Sequence, residues 1–162
     1  MVVTVEPRGD VALVWVDNPP VNATSQAVRA GLVAAAARID AEGFRGAVLM
    51  CRGRTFIAGG DVTEFDRPPV EPHLPDVVLR IEGARAPWLA AIHGQALGGG
   101  LEIAMGCRWR VAAPGASVGA PEVALGLIPG AGASVRLPRL VPLALAAEGV
   151  HAEVRGERRG HR

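Results

Sequence analysis

Residues Ile92 to Ala104 read IHGQALGGGLEIA, and the fold turns on how that stretch is understood. An apolar run leads into three consecutive glycines, Gly98, Gly99 and Gly100, which open a segment, Leu101 to Cys107, with the composition of a buried helix. Glycine removes the side chain that would keep a ligand off the main chain, and the first turn of a helix leaves N–H groups without intrahelical partners. Together they make a site for an oxygen carrying negative charge. Glu102 falls in the same first turn, so a carboxylate stands beside a row of donors, as acid/base chemistry next to an oxyanion site requires. Tight glycine packing and a favourably placed helix-start acid would leave the same residues, so the rest of the chain has to decide.

Going outward from this stretch, the chain of 162 residues is long enough for one filled core, and 49% hydrophobic against 20% charged residues argues against disorder. Seventeen basic side chains face 16 acids, a net +1, which gives no general pull toward nucleic acid or an anionic membrane. All the basic residues are arginine. Without lysine, Schiff-base chemistry and a Walker-type phosphate loop are excluded. Cys51 and Cys107 lie far apart in apolar surroundings, with no metal-ligand spacing, and read as buried free thiols. The opening MVVTVEPRGDVALVWV lacks a basic segment followed by a long apolar run, so a soluble, cytoplasmic protein is expected.

The β-branched runs Val2–Val5 and Val11–Val16, separated by Pro7, Arg8, Gly9 and Asp10, predict a hairpin. Asn22 or Thr24 then caps a helix through about Ile39, with Val28, Leu32, Ala35 and Ile39 on one face, and Gly43 ends it. Ala47–Cys51 has the length and continuity of a buried strand, so strand, helix and strand follow one another in α/β fashion. RGRTFIAGGDVTEF, Arg52 to Phe65, repeats the glycine-then-carboxylate pattern at a second helix start, Asp61. The prolines between Asp66 and Pro75 predict a surface excursion, a candidate mobile edge of a site. Val77–Gly83 reads as a helix, and Trp88–His93 and Trp109–Ala113 as strands. His93 reads as a hydrogen-bonded core residue rather than a ligand. Glycine turns and strands recur irregularly, as in a spiral of ββα units.

Two chemistries fail on the residues. Gly115 to Gly119 spells G-x-S-x-G around Ser117, but no aspartate follows Asp76, and His151 and His161 lie in a charged tail, so a serine-hydrolase triad has no partners. A dinucleotide fold needs G-x-G-x-x-G, which Gly98–Gly100 does not supply. Glu102 and Glu122, each beside a glycine-rich turn, instead suit paired acid/base work on an acyl thioester whose oxygen is held by backbone N–H groups.

Four segments in order, DNPPVNATS, RTFIAGGDVTEF, IHGQALGGGLEIAMGC and VGAPEVALGLIPGAGASVRLPRL, resemble the crotonase (enoyl-CoA hydratase/isomerase) superfamily, in particular the hydratase part of bacterial multifunctional fatty-acid-oxidation proteins. The resemblance covers Val2 to about Val141. It implies a crotonase-like α/β spiral of ββα units, with residues 1–147 forming an acyl-CoA-binding core that lacks most of the family's C-terminal helical region; residues 148–162, where arginines alternate with glycines and glutamates without apolar period, read from composition as a charged, disordered tail. It implies that the N–H groups of Gly60 and Gly99 form the oxyanion hole, that Glu122 exchanges a proton with Cα, and that Glu102 orients the water added at Cβ. Ala58, Gly60, Asp61 and Val62 match the loop that wraps the CoA thioester, and Ala23 lines it from the other side. Gly98, Pro121 and Gly130 complete the substrate-binding set. The implied reaction is hydration of a 2-enoyl-CoA in β-oxidation, with isomerisation as a second activity, and without metal or nicotinamide. The substrate is the one small-molecule partner implied; nucleic acid and membrane are not. Family members continue past RLPRL through helices that close the acyl pocket and build trimers, sometimes within a multifunctional complex. This chain departs from that pattern in EGVHAEVRGERRGHR, so a catalytically weak remnant that binds acyl-CoA or a full-length homologue is the alternative.

Overall fold

The computed structural model describes residues 1–64, 67–126, 128–151 and 154–155. β1 (Val3–Arg8) and β2 (Val11–Val16) pair antiparallel as the expected hairpin. α1 (Gln26–Glu42) follows, capped not by Asn22 or Thr24 but by Ser25, whose hydroxyl accepts from the Val28 N–H. The other two side chains are engaged elsewhere. The Asn22 amide donates to the carbonyls of Arg52 and Thr55, and the Thr24 hydroxyl donates to that of Gly59. Gly43 closes the helix at φ 74°, a left-handed conformation that suits glycine, with its N–H returned to the Ile39 carbonyl.

The remaining elements are β3 (Gly46–Cys51), β4 (Ile57–Ala58), α2 (Leu74–Glu82), β5 (Trp88–Ile92), β6 (Gln95–Leu97), α3 (Gly99–Gly106), β7 (Trp109–Ala112), β8 (Ser117–Gly119), α4 (Ala133–Leu140), α5 (Leu143–His151) and β9 (Val154–Arg155). Asp61 opens a single 3-10 turn, Val62–Glu64, rather than an α-helix. A five-stranded sheet has the order β1-β2-β3-β5-β7 and a four-stranded sheet the order β4-β6-β8-β9. Beyond the hairpin the first sheet is parallel, with Val11 opposite Gly46, Ala47 opposite Trp88 and Leu89 opposite Trp109. Strands joined in this way need crossovers, which α1 and α2 supply.

Alternate residues of β2, β3 and β5 are buried, and Ala12, Val14, Leu49 and Ala90 meet Val28, Leu32 and Ile39 of α1 with Val77, Val78 and Ile81 of α2 in one core. Removing a Leu or Ile side chain from water in this way is worth about 1.5–3 kcal/mol each. α3 is buried along its whole length, as its sequence predicts, and it separates this core from a smaller one containing Leu101, Met105, Ala133 and Leu137.

Part of the tail expected from residue 148 falls among the described residues. α5 runs through 148–151, and Val154 pairs antiparallel with Val118 of β8, because the open edge of the second sheet offers backbone partners. Residues 156–162 lie outside the described set, as do Phe65 and Asp66, the first residue of the proline-rich excursion. No helix among the described residues is long and apolar enough to cross a membrane. Both cysteines are free and buried; burial raises both thiol pKa values, that of Cys107 to about 12.

Candidate active site

Parallel pairing of β6 with β8 places Leu97 opposite Gly119, and the Gly98 N–H donates to the Gly119 carbonyl at 2.8 Å. The chain then turns sharply at Gly98 (φ 51°, ψ −123°) into α3. No side chain fits there. A Cβ on Gly98 would lie 2.8 Å from Glu122 Oε1 and 3.8 Å from the Gly59 Cα, so two other loops close around this turn. A Cβ on Gly99 would meet Leu74 and Thr24, and one on Gly100 would run into the Ile57 carbonyl. The glycine triplet therefore lets α3 start against β4 and α2, as well as exposing backbone.

Gly60 continues the loop from Gly59, whose carbonyl accepts from the Thr24 N–H at 3.0 Å. Neither the Gly60 N–H nor the Gly99 N–H donates to another described residue. Glu102, one turn into α3, is 1% exposed, and its Oε1 accepts from the N–H groups of Ala131 at 2.7 Å and Ala133 at 3.0 Å. Its Oε2 accepts from no described residue. Glu122 rides on a 3-10 turn, Pro121–Leu125, that follows β8 directly. Its Oε2 is buried without a partner among the described residues, and burial, then repulsion from Glu102, pushes its pKa up. Two carboxyl groups from different elements thus lie near enough to influence each other, Glu102 clamped by backbone N–H groups and Glu122 against the Gly98 turn and inclined to hold a proton.

A cleft of about 770 Å³ runs beside the Gly60 loop and is lined by Gly60, Asp61, Thr24, Leu74 and Arg29, among others. Thr24 and Leu74 are also the side chains packed on Gly99, so this cleft leads to the glycine turn, although neither glutamate forms its wall. Asp61 accepts from the hydroxyl and the N–H of Thr63, which hold its pKa below the usual range. Ala58 is half-buried on β4 with its N–H on the Val21 carbonyl; Ala23 is half-buried, its carbonyl accepting from Ser25 and from the Asn18 amide. Val62 is 70% exposed on the turn after Asp61. Pro121 begins the Glu122 turn, whereas Gly130 is exposed, with only the Ile128 carbonyl near the place of a Cβ, and the structure does not bring it to the cleft. His93 has the hydrogen-bonding contact that the sequence reading expects, its Nε2 3.1 Å from the Gly53 carbonyl, but it is half-buried rather than in the core, because it follows β5 at the sheet's end; Ser117 is buried in β8.

Sequence reasoning missed two parts of the site. One is the Ala131–Ala133 turn that clamps Glu102, which the glycines of PGAG before an apolar helix could have signalled. The other is Arg29, buried on α1, whose guanidinium donates to the carbonyls of Thr24, Val70 and Pro72 and to Glu64 at 2.8 Å. It ties the proline-rich excursion down over the cleft. An arginine on the apolar face of a helix is the signal for such a role.

Comparison with known proteins agrees with this geometry. Residues 6–153 match the family model described as Enoyl-CoA hydratase/isomerase. The chain is 44% identical over 143 residues to the peroxisomal bifunctional enzyme of Danio rerio, covering 87% of this chain and 20% of that protein. It is 40% identical over 146 residues to a probable enoyl-CoA hydratase of Bacillus subtilis (strain 168), covering 85% of this chain and 57% of that one. Among solved structures, an enoyl-CoA hydratase of Mycobacterium tuberculosis H37Rv superimposes with a TM-score of 0.87 at 34% identity, over 95% of this chain and 63% of that one. The chain thus spans between a fifth and three fifths of these curated relatives' lengths. The crotonase fold and the match over nearly the whole chain lead to one conclusion: the chain belongs to the enoyl-CoA hydratase/isomerase family.

Proposed function

We propose that the chain hydrates 2-enoyl-CoA thioesters, adding water across the 2,3 double bond. The observation that carries this reading is the placing of Glu122 against the Gly98 turn, within the electrostatic reach of Glu102 on the helix that this turn opens. In this mechanism the free N–H groups of Gly60 and Gly99 hold the thioester oxygen, and the bonds strengthen as it becomes enolate-like. Glu102, fixed through Oε1, orients the water with Oε2 and takes its proton as the oxygen bonds to Cβ. Glu122 delivers a proton to Cα, and the raised pKa supports its acting as the donor. The loop Ala58–Val62, with Ala23 opposite, holds the thioester and its pantetheine arm; Gly98 and Pro121 shape the space around the glutamates. Double-bond isomerisation is a second activity of the same site, needing Glu122 without an activated water. The chemistry calls for no metal or nicotinamide, and the CoA thioester is the partner. The two buried thiols suit a cytoplasmic setting, which fractionation of the source cells tests against the peroxisome named for the animal and plant relatives.

A second reading, in which the chain binds acyl-CoA or a longer homologue without turnover, would use the same cleft and glycine turn. Loss of the conjugated thioester's ultraviolet absorbance with a purified chain and a short 2-enoyl-CoA separates the two. Turnover abolished by Glu102→Ala supports hydration. Thioester binding with no turnover in the unmodified chain establishes the alternative.

A further inference from the structure

Glu102 is held by two backbone N–H groups, and the turn that carries them is fastened by the N–H groups of Val135 and Arg136 on the Gly132 carbonyl and by the Arg136 side chain. Gly132, between the two donors, takes φ 99°, and a Cβ there would collide with the Arg136 guanidinium. Glycine opens the turn, and Arg136 fills the space. Its Nη1 donates to the Ala131 carbonyl at 3.0 Å, on the same residue whose N–H donates to Glu102 Oε1. Its Nε and Nη2 form a two-point pair with Glu82 at 3.1 and 2.7 Å, at the last turn of α2. The pair favours both charges, since Glu82 holds the Arg136 pKa up and Arg136 holds the Glu82 pKa down. An unbroken chain of contacts therefore runs from the end of α2 through Arg136 and the Ala131–Ala133 turn to the buried carboxylate.

We propose that Arg136 is a positioning residue for Glu102, setting the carboxylate's rotamer through the Ala131–Ala133 turn and itself anchored on α2 by Glu82. The inference rests on the reading of Glu102 as the group that orients water. The planar fork of arginine matters: it reaches a carboxylate with one edge and a carbonyl with the other, and the point charge of lysine cannot reproduce both. Arg136 touches no substrate in this scheme. Its removal leaves the cleft and the Gly60 loop intact and lets the carboxylate swing.

The test combines turnover with amide hydrogen exchange on the full chain. Arg136→Gln is expected to lower kcat by about 10- to 100-fold, the scale of a misplacement near 1 Å, with KM changed by less than about threefold. Exchange at the Ala131 and Ala133 amides should accelerate, while amides of β3 and α1 keep their protection. Glu82→Gln should act in the same direction, and the double variant should be no worse than Arg136→Gln alone, because both cut one chain. Arg110→Gln is the control: it removes a guanidinium that caps the Ala104, Met105 and Cys107 carbonyls at the far end of α3, and should leave kcat near that of the unmodified chain. If Arg136→Gln keeps its kcat and the two amides stay protected, the proposal is overturned. An unmodified chain without turnover refutes the hydratase reading, and amide exchange alone then decides whether Arg136 holds the turn.

Discussion

Glu102 and Glu122 differ in environment more than in chemistry, and the proposed hydration uses that difference to divide their roles. Both are visible in the sequence beside glycine turns. The PGAG glycines signal a turn, but not that it clamps Glu102, because the clamp joins residues some thirty positions apart and needs the loop after Pro129 to fold back. Replacing Glu122 by Gln is predicted to lower hydration by about 10² to 10⁴, the usual worth of a positioned proton donor, and turnover of the variant checks it. Its stability should move the other way. Burial favours the protonated Glu122, so the folded state holds its proton to higher pH than the unfolded chain, whose value is about 4.3. Below that value neither state is penalised; as pH rises through the raised folded value, the structure has to carry an ionised, half-buried carboxylate and loses stability. Melting curves should therefore show Glu122→Gln more stable than the unmodified chain at pH 8 and equal to it near pH 4. Equal midpoints at both would contradict the raised value.

At the scale of elements, the long strands and α1 are legible, and the caps are less so. Ser25 caps α1 because Asn22, at φ 54°, and Thr24 are spent on binding the segment before α1 to the loop from Arg52 to Gly59. That cross-link holds Ala23 and Gly59 together, and periodicity carries no trace of it. The Gly98 turn is the tightest junction. Gly98→Ala puts a methyl group against Glu122 Oε1 in a conformation that L residues avoid, and should reduce turnover at least tenfold while circular dichroism stays native. Arg29 governs the excursion before α2. Arg29→Met keeps the length and loses the carbonyl bonds and the Glu64 pair; with Glu64 partly in water, about 2–3 kcal/mol is expected. Limited proteolysis should then cut between residues 67 and 73 at enzyme levels that spare the unmodified chain, and equal resistance would show the staple to be idle.

For the whole molecule, the first sheet and its helical cover follow from pattern, whereas β4, β6, β8 and β9, at two or three residues each, are too short for periodicity to reveal. The second sheet nevertheless carries the glycine turns to the site. Ile128, Val135, Leu140 and Leu145 remain exposed around α4 and α5, an apolar surface of the kind that binds partners or hydrophobic dyes. Dye fluorescence should be bright with the native chain and fall when Val135 and Leu140 become serine; a dim signal at the start would mean that the surface is covered in solution. The parallel pairing has one more consequence, in time rather than in space. Because β2, β3, β5, β6 and β8 pair with strands roughly 20–40 positions away, loops must close before any ladder is rewarded, and such chains cross their folding barrier slowly. Glu102 and Glu122 meet only when the later crossovers are complete, so in a refolding experiment catalytic competence should return with the slowest phase, after helical signal has already recovered.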